Sequence, residues 1–571
     1  MSNPLKQRYD FLKQYHPELW YAIQHHDHTL CVDSMTCFTA ESIIQTVLQS
    51  WEGGSALVIA KGVGDGQWLE RLADQNHIAV NSNQGLLIIE PILSRFISSI
   101  EKYDFTSLLS SGYVMWCVGA DWAKQWIELE KTKHIAGSIS PALIPVYDET
   151  NAENQAAYKA VDSILQVSIP AHQKRFQAAM TALKKNYQKQ YDGPIRRIWA
   201  PNYRQGKATH FVLKGMLDGL RACGVQVDEC AVPQYQYVSA RTELWSLIES
   251  KPDLVLSSNL SLQSMYSTFV EGLNVSAVLW YTDAPILDFA KPLINPRDQV
   301  FCFDAHYISM LSQNIGRPVG ALQTAANLLE PAEPDPTLAC DVSVVANVQS
   351  IKTILEPFSV EDRNYLREMA EIRAADRYIN LEALVKESSP PPGPLQSQPL
   401  SYIAVTIYAI ANAMYRKRTI QRLTNFDIKI WGGLGWLEDE PDNSPIRRAY
   451  QGHTTSKEQL ASIYHSSKIH VSLHSLNSIR GLNMHCWNAP YHQTFVLTEN
   501  LPGIADCFEQ EEEIACFDGA DQLASKVDHW LADSSGRRRI IEAGRERVIR
   551  DHTFPVRARQ LLDAIARRDD K

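Results

Sequence analysis

Short apolar runs alternate with helix-length amphipathic stretches along nearly the whole chain. This alternation is typical of parallel β-sheets joined by crossover helices, so the sequence predicts an α/β protein. The runs fall into three segments without an internal repeat. We expect a first α/β domain at 1–165, a helical connector at 166–194, and two further α/β units at 195–335 and 336–571.

Strands are predicted wherever four to six apolar residues are bounded by turn residues. They are Ala56–Ala60, Leu86–Ile89, Val114–Val118, Ile195–Ala200, Val225–Val227, Asp253–Leu256, Ala277–Trp280, Gln299–Phe303, Asp341–Val345, Asp427–Trp431, Ile469–Leu473 and Phe495–Leu497. Helices are expected at Gln67–Asp74, at Thr209–Cys223 before the helix stop Gly224, and within Asp521–Arg567. The proline-rich stretch Ser388–Pro394 must be a loop, because proline disrupts both helices and strand ladders.

Composition excludes several classes of protein. Of the 571 residues, 45% are apolar and 21% are charged, which is ordinary for a soluble globular protein and too apolar for a disordered one. The net charge of −10 argues against a nucleic-acid binder. The sequence shows neither a membrane-spanning apolar run nor a secretory signal. Cys31 and Cys37, the closest cysteine pair, lack the spacing of a zinc or redox motif, so we expect a cytoplasmic protein with reduced thiols.

The first segment carries a glycine-rich turn, Gly62-x-Gly64-x-Gly66, between a predicted strand and a predicted helix. Glycines let a ligand approach the backbone, and a helix N-terminus favours anionic groups. Glu90 closes the next strand and could hold ribose hydroxyls, as expected of a nucleotide or S-adenosylmethionine site. The spacing is not the full dinucleotide fingerprint, so a tight turn without a ligand remains the alternative.

A histidine cluster and an arginine run are both interpreted as surface features. His25, His26 and His28 lie close together, but no second ligand cluster complements them, so we expect a surface loop and no metal site. The basic run Arg537–Arg539 is interpreted as a solvated helix face.

The third segment holds polar groups and glycine turns near the predicted strand ends. These are Gly432, Gly433, Gly452, His453, Arg480, Asn483, His485, Asn488, Thr498, Glu499, Asn500 and Leu501. Such groups at the carboxyl ends of parallel strands suit a diphosphate and a sugar, because arginine offers a fork of donors that matches phosphate. Each piece is weak alone, since Arg480 could equally form a surface ion pair and His485 could be a structural histidine.

From Ile195 onward, the order of these pieces resembles the group 1 glycosyltransferases typified by the spore-maturation glycosyltransferase-like proteins. The matching stretches include Pro252–Leu256, Leu279–Pro285, Cys302–Asp304, Asp341–Val345, Ile430–Trp436, Gly452, Leu460–Tyr464, Ser467–Ile469, Phe495–Glu499, Ile541–Val548 and His552-Thr553. The resemblance implies a GT-B fold, in which two Rossmann-like lobes face each other, with the acceptor lobe at 195–335 and the donor lobe at 336–571. It also implies a nucleotide-sugar as substrate, no cofactor, and no required metal.

One part of the family pattern differs in this chain. Asn483 is kept, but His485 stands where the family usually has Arg, and Asn488 stands where it has a Glu that contacts the donor nucleotide. Asparagine accepts hydrogen bonds without carrying a charge. Either the donor differs, or Arg480 and His485 share the phosphate role, or the domain is inactive.

Catalysis in such a fold takes place in the cleft between the lobes. Asp283 closes a strand of the acceptor lobe and is the first candidate to orient or deprotonate an acceptor hydroxyl, although a carboxylate that only caps a loop is the alternative. Asp304 and His306 follow the next strand as second candidates, and His485 could stabilise the leaving group. The sequence leaves open whether the anomeric configuration is retained or inverted.

The first segment resembles, more faintly, the Rossmann-like N-terminal domain of the motility accessory factor family of flagellin glycosyltransferases. The matching features are the Ala56–Gly66 turn, Ile88–Pro91, Phe96, Asp104, Ser107–Leu109 and the Val114–Gly119 strand. This resemblance implies a protein acceptor, such as flagellin. Two other functions stay open: an S-adenosylmethionine-dependent methyltransferase domain fused to a glycosyltransferase-like module, and a non-catalytic GT-B scaffold.

Overall fold

Three separate parallel β-sheets organise the chain in a computed structural model. The structure describes residues 4–15, 17–24, 38–52, 57–74, 85–133, 141–147, 152–187, 193–201, 208–230, 240–266, 269–283, 294–327, 333–388, 390–454 and 456–569. The histidine cluster at His25–His28 and the pair Cys31 and Cys37 lie outside these residues. Within the described ranges no sheet continues from one segment into the next, which confirms the predicted α/β class with its two Rossmann-like lobes and a preceding α/β domain.

The N-terminal sheet has the strand order β3-β2-β1-β4. Its elements are α1 (Pro4–Tyr15), α2 (Pro17–Gln24), α3 (Ala40–Glu52), β1 (Leu57–Lys61), α4 (Gln67–Asp74), β2 (Gly85–Glu90), α5 (Leu93–Lys102), α6 (Thr106–Ser110), β3 (Val114–Val118), α7 (Trp122–Lys133) and β4 (Ala142–Pro145). Strands β1 and β2 are buried along their whole length, as expected for a parallel sheet covered on both faces. The first three strands were predicted, whereas β4 was not.

A single long helix, α8 (Ala152–Asn186), joins this domain to the next. Its first half buries Tyr158 and Leu165 in the N-terminal core, and its second half buries Phe176 and Met180 against the following lobe. Pro170 lies between the two halves. The connector was predicted at 166–194. Helix α8 begins earlier, at Ala152, which lies in the segment assigned to the first domain. The predicted domain boundaries themselves stay predictions.

The middle lobe is built on a sheet of order β10-β9-β8-β7-β5-β6. Its elements are β5 (Arg197–Ala200), α9 (Ala208–Ala222), β6 (Gln226–Glu229), α10 (Ala240–Ser250), β7 (Leu254–Ser258), α11 (Leu262–Tyr266), β8 (Ser276–Tyr281), β9 (Gln299–Cys302), α12 (Ile308–Ile315) and β10 (Gly320–Ala321). The five strands predicted here are confirmed within about two residues. Gly224 ends the turn after α9 with a φ of 85°, which a side-chain-bearing residue rarely adopts.

The last lobe is built on a sheet of order β12-β11-β13-β14-β15. Its elements are β11 (Cys340–Val345), α13 (Ile351–Leu355), α14 (Val360–Ala375), α15 (Leu381–Glu387), α16 (Leu400–Gln421), β12 (Ile428–Trp431), α17 (Pro445–Ala449), α18 (Lys457–Ser466), β13 (Ser467–Ser472), α19 (His485–Tyr491), β14 (Val496–Glu499), β15 (Ala515–Phe517), α20 (Gly519–Ala532), α21 (Ser534–Asp551) and α22 (Phe554–Asp569). Helices α13–α16 form an insert with its own apolar core. The sequence pattern predicted neither this helical insert nor β15.

The chain crosses back at its end. Helix α22 packs on α9 of the middle lobe, where Phe554, Ala558 and Leu561 are buried. Gly219 of α9 allows this contact, because a Cβ there would lie 2.4 Å from the Phe554 carbonyl oxygen. The last helix of the chain thus belongs to the core of the middle lobe. No helix among the described residues is both long and apolar enough to cross a bilayer.

Candidate functional site

One loop of the last lobe joins the carboxyl edges of the two lobe sheets. This loop, residues 473–484, follows β13 and will be called the bridging loop. Asp304, just after β9, accepts hydrogen bonds from the backbone N–H groups of Ile479 at 2.8 Å and Arg480 at 3.2 Å. Gly481 fits against the middle lobe because it lacks a side chain: a Cβ there would lie 2.4 Å from the Phe303 ring.

Asp304 therefore clamps the lobes together. Its carboxylate also accepts from the backbone N–H of His306 at 3.0 Å, capping a short 3₁₀ turn, and the residue has no exposed surface. A group that is enclosed and occupied in this way is poorly placed to meet an acceptor hydroxyl. The geometry thus favours a structural role over the catalytic role expected from the sequence.

Asp283 is placed quite differently from Asp304. It follows β8 at the carboxyl edge of the acceptor sheet and is exposed. Asn259, at the end of β7, donates from its amide to the Asp283 carboxylate at 2.8 Å and accepts from the backbone N–H groups of Thr282 and Asp283. Asn259 holds a left-handed φ of 60°, a costly conformation that is common at functional sites. Asp283 is thus an oriented carboxylate at the cleft edge.

On the last lobe, which we call the donor lobe after the role expected from the sequence, Glu499 lies at the carboxyl end of β14 and is buried. Its carboxylate pairs with the Arg377 guanidinium and accepts from the Tyr415 hydroxyl and the backbone N–H of His474. Burial raises the pKa of Glu499, while Arg377 acts in the opposite direction. Arg377 and Tyr415 belong to the helical insert, so Glu499 ties the insert to the strand ends.

Three arginines of the insert collect at this edge, and the sequence pattern predicted none of them. They are Arg373, Arg377 and Arg416. Arg416 donates to the Asn347 carbonyl at 2.6 Å, just beyond β11, and its Nε is buried without a hydrogen bond. Among the described residues, no carboxylate pairs with Arg373 or Arg416. Burial lowers the pKa of both guanidinium groups. Positive charge therefore exceeds negative charge at the donor-lobe edge.

His485 lies beside Arg416, at the first position of α19. The Tyr464 hydroxyl is 2.7 Å from its Nδ1, and the pKa of this tyrosine is raised by burial, so the hydroxyl keeps its proton and donates it. Burial, and then the charge of Arg416, lower the pKa of His485 to about 4. At neutral pH the ring is uncharged, and a hydrogen bond to the Val345 backbone, which acts in the opposite direction on its pKa, occupies its other nitrogen.

A hydrogen-bonded network behind His485 holds the start of the bridging loop. Asn483 donates to the Leu473 carbonyl at 3.0 Å and accepts from the backbone N–H of His485 at 2.9 Å. Thr498 bonds the Nε2 of His474 at 3.0 Å, and both residues are fully buried. Asn483 and Thr498 thus fix the backbone and side chains at the carboxyl edge of the donor-lobe sheet.

Asn488 is also enclosed, with 3% of its surface exposed. Its side-chain oxygen accepts from the backbone N–H of Asn327 at 3.0 Å, which joins α19 to the segment that leaves the middle lobe. The predicted donor contact of Asn488 therefore has a competing structural explanation. A glutamate at this position would bury a negative charge at the junction.

Arg480 has a partner within its own chain. Its guanidinium pairs with Asp506 at 2.6 Å, with about a third of the side chain exposed, which matches the surface ion pair considered as the alternative. Asn500 is exposed and bonds Asp518 and Gln510, while Leu501 is buried in an apolar cluster.

The glycines of the donor lobe serve the packing of its own backbone. A Cβ at Gly432 would lie 2.0 Å from the Ala346 carbonyl oxygen, and one at Gly433 would lie 2.4 Å from that of Val348. These contacts bring the turn after β12 against the end of β11. Gly452 has a φ of 90° and its carbonyl accepts from Gly432, whereas His453 is exposed.

In the N-terminal domain, the turn at Gly62, Gly64 and Gly66 lies at the carboxyl edge of the sheet, as predicted, and all three glycines have positive φ. Helix α8 covers this edge. A Cβ at Gly62 would lie 2.8 Å from the Tyr158 hydroxyl, which donates to Glu90 at 2.7 Å.

Glu90 has no exposed surface and also accepts from the backbone N–H groups of Val63 and Ile92. Burial raises its pKa, although these bonds act in the opposite direction. The contacts of Glu90 are thus explained without a ligand, and the turn matches the ligand-free alternative. A nucleotide or S-adenosylmethionine site here stays an untested prediction.

Several histidines of the donor lobe are buried and neutral, which makes stability depend on pH. His492 stacks on Tyr464 at 5.8 Å, and burial lowers its pKa to about 4. Between that value and the unfolded value of about 6.5, the unfolded chain binds more protons, so stability falls as the pH falls through this window. Buried Asp298, whose pKa is raised to about 6, acts in the opposite sense and offsets part of the loss.

We expect His492→Phe to keep the ring stacking and to remove this titration. The variant should lose less stability than the parent between pH 6.5 and pH 4, by an amount of the order of 2 kcal/mol. Urea unfolding at a series of pH values measures the difference, with the exposed His529→Phe as control. Parallel curves for parent and His492→Phe would contradict the assignment.

Comparison with known proteins agrees with this architecture. Two Rossmann-like lobes facing each other, with the last helix crossing back, define a GT-B protein. Residues 416–563 match a family model described as "Glycosyl transferase-like". The match confirms the predicted resemblance to group 1 glycosyltransferases over these residues. The fainter N-terminal resemblance stays a prediction.

Solved structures give weaker similarities. They include a sucrose-phosphate synthase from Thermosynechococcus elongatus (11% identity, covering 65% of this chain and 98% of that one, TM-score 0.39). An alpha-glucosyltransferase solved in complex with UDP gives 11% identity, coverage of 65% and 99%, and a TM-score of 0.40. A glycosyltransferase from Rickettsia africae gives 12% identity, coverage of 66% of this chain and 99% of that one, and a TM-score of 0.35. These scores are too low to support any inference about the site. No match to a curated protein sequence was found.

Proposed function

We propose that the protein transfers a sugar from a nucleotide-sugar donor to an acceptor hydroxyl. The observation that carries this proposal is the excess of positive charge at the carboxyl edge of the donor-lobe sheet, where Arg373 and Arg416 lack a carboxylate partner among the described residues. A diphosphate supplies the missing negative charge and accepts hydrogen bonds from guanidinium groups. The match to a glycosyl transferase-like family supports this reading.

The proposed reaction divides between the lobes. As the acceptor oxygen bonds to the anomeric carbon, the bond from that carbon to the diphosphate breaks, and the nucleoside diphosphate leaves with the electron pair. Arg416 stabilises the charge that develops on the leaving oxygen. Asp283 orients the acceptor hydroxyl or takes its proton. Hydrogen-bond donors held in place by the protein thus stabilise the leaving diphosphate, as water molecules would in solution.

Metal independence belongs to the same proposal. Within the described ranges, no group of three or more His, Cys, Asp or Glu residues is arranged to hold a metal ion. The arginine cluster offers the charge that a metal would otherwise bring to the diphosphate. Donor binding that persists in EDTA would support this part of the proposal, and binding that requires a divalent cation would contradict it.

The acceptor is proposed to be a protein, with flagellin as one possibility implied by the N-terminal resemblance. A methyltransferase activity is less well supported, because Tyr158 and Glu90 occupy the edge at which S-adenosylmethionine would bind. No contact among the described residues favours it.

We expect Arg416→Gln to weaken binding of the donor nucleotide by about 10- to 100-fold, the worth of a hydrogen bond to a charged group. Arg480→Gln is the matched control, because this half-exposed arginine is already paired with Asp506 and should change affinity by less than about fivefold. Calorimetric titration with UDP, GDP and ADP measures both effects.

Two results would count against the proposal. If the parent protein binds none of these nucleotides or their sugars, the chain is a non-catalytic scaffold. If Arg480→Gln weakens binding more than Arg416→Gln, the phosphate is held by the arginine predicted from the sequence and not by the helical insert.

A further inference from the structure

The acceptor lobe contains a buried guanidinium that its own chain does not satisfy. Arg241 lies in the first turn of α10 and is 9% exposed. Its Nε and Nη1 atoms are buried without a hydrogen bond, and within the described residues no carboxylate pairs with it. Burying a charge without a hydrogen-bonding partner is costly, so such a group calls for an explanation.

Two aromatic rings account for part of that cost. The guanidinium carbon lies 5.1 Å from the centre of the Phe176 ring and 5.3 Å from that of Phe269. Cation–π contacts of this kind offset some of the lost hydration. The N–H groups of the guanidinium lie in its plane, and rings that stack on its face do not accept hydrogen bonds from them. The N–H groups therefore still lack acceptors.

Arg241 lies on the functional side of the lobe. Helix α10 follows β6 and precedes β7 in a parallel sheet, so its first turn lies at the carboxyl edge. Asn259 and Asp283 lie at this same edge, after β7 and β8. A ligand that meets Arg241 would therefore enter from the cleft side.

A second unsatisfied group lies on the neighbouring helix. Both amide atoms of Gln263, in α11, are buried without a hydrogen bond. The Tyr266 hydroxyl of α11 donates to Glu243 of α10, which holds the two helices side by side. Buried polar atoms without partners on two adjacent helices at one sheet edge are hard to attribute to packing alone.

We propose that Arg241 and Gln263 form an anion-recognition site on the acceptor lobe, which binds a carboxylate or phosphate group of the acceptor substrate. The guanidinium fork matches either group, and the Gln263 amide donates a further hydrogen bond. That the anion belongs to an acceptor rests on the proposed glycosyl transfer, whereas anion binding does not depend on it. The acceptor is therefore an acidic molecule.

The test uses the full chain and three related probes: glucuronate, glucose 6-phosphate and glucose. The first two distinguish a carboxylate from a phosphate, and the third carries neither. Binding is measured by calorimetry for the parent, Arg241→Gln, Gln263→Met and the control Arg175→Gln. Arg175 is an exposed arginine on α8 whose guanidinium lies 5.5 Å from the centre of the Trp245 ring, so it shares the ring contact and differs in exposure.

We expect one anionic probe to bind about tenfold or more tightly than glucose, and Arg241→Gln to weaken that binding by about 10- to 100-fold. Gln263→Met should weaken it several-fold, and Arg175→Gln should leave it unchanged. UDP affinity should be the same in all four proteins, which separates this site from the donor site.

The proposal is overturned if neither anion binds more tightly than glucose, or if Arg241→Gln binds the anion as the parent does. Circular dichroism establishes that each variant is folded. Should Arg241→Gln fail to fold, Gln263→Met decides the question, since unchanged anion binding in that variant would also overturn the proposal.

Discussion

Replacing Asp304 by alanine is expected to lower the free energy of unfolding by about 3–5 kcal/mol, because it removes the acceptor that joins the two lobes. Backbone N–H groups of His306, Ile479 and Arg480 all donate to this carboxylate, which has no exposed surface. Each buried donor left unpaired costs about 1–3 kcal/mol. The loss should be largest in the contact between the lobes, where the bridging loop is anchored.

Asp335→Ala is the matched control for this experiment. Asp335 also caps a three-residue 3₁₀ turn by accepting from the backbone N–H of Thr337, but that bond is exposed and local. Its loss should cost clearly less than that of Asp304, because solvent can satisfy the freed N–H group. Asp304→Asn should fall between the two, because one carboxylate oxygen becomes an amide that faces the N–H of Ile479.

Urea unfolding followed by tryptophan fluorescence measures all three variants. If Asp304 serves mainly as a cap, Asp304→Ala and Asp335→Ala will lose equal stability, and the clamp assignment will be wrong. If the clamp holds the lobes together, Asp304→Ala should also broaden the transition, since the lobes then unfold less cooperatively.

Much of the fold could be predicted from apolar runs alone. Strands such as β7 and β8 are buried on both faces, so they appear in the sequence as short unbroken apolar stretches between turn residues. Edge strand β15 has only three residues, which is too short to stand out from its surroundings. Strand register and the crossing of α22 follow from contacts between distant segments.

The helical insert escaped prediction for a different reason. Apolar residues are spread around most of α16, because the helix is enclosed by α14, α15 and the donor sheet, so it lacks the single apolar stripe of a surface helix. With the insert missed, Arg377 and Arg416 could not be placed near the strand ends. Three arginines within about 45 residues of one another were the available signal, but their convergence depends on tertiary packing.

Several glycines and carboxylates that were expected to contact a ligand have partners within the protein instead. Gly62, Gly432 and Gly433 were read as places for a ligand, yet each makes room for part of this chain. Glu90 and Asp304 were read as open functional groups, yet both are enclosed by backbone N–H donors. A residue type alone does not tell whether its partner is a ligand or the protein, because both satisfy the same hydrogen-bonding requirement.

Replacing Asp283 by asparagine is expected to lower the turnover number of the proposed transfer by about 10²–10⁴-fold, the usual range for a positioned proton acceptor. The amide of asparagine keeps the size of the side chain and loses the negative charge and the proton-accepting oxygen. Asn259 would still bond the remaining oxygen, so the loop should keep its shape. Donor affinity should not change, because Asp283 belongs to the acceptor lobe.

Two further variants show whether the effect belongs to the oriented carboxylate. Asp218→Asn removes an exposed carboxylate of the same lobe that pairs with Lys214 and Arg221 on α9, and it should leave turnover intact. Asn259→Ala keeps Asp283 but removes the amide that orients it, so turnover should fall by a smaller factor while the nucleotide dissociation constant stays constant. Initial rates of nucleoside diphosphate release, with calorimetry for donor binding, separate these outcomes. Equal turnover in Asp283→Asn and the parent would assign proton transfer to another group, and Asp283 would then be a carboxylate that only supports the loop after β8.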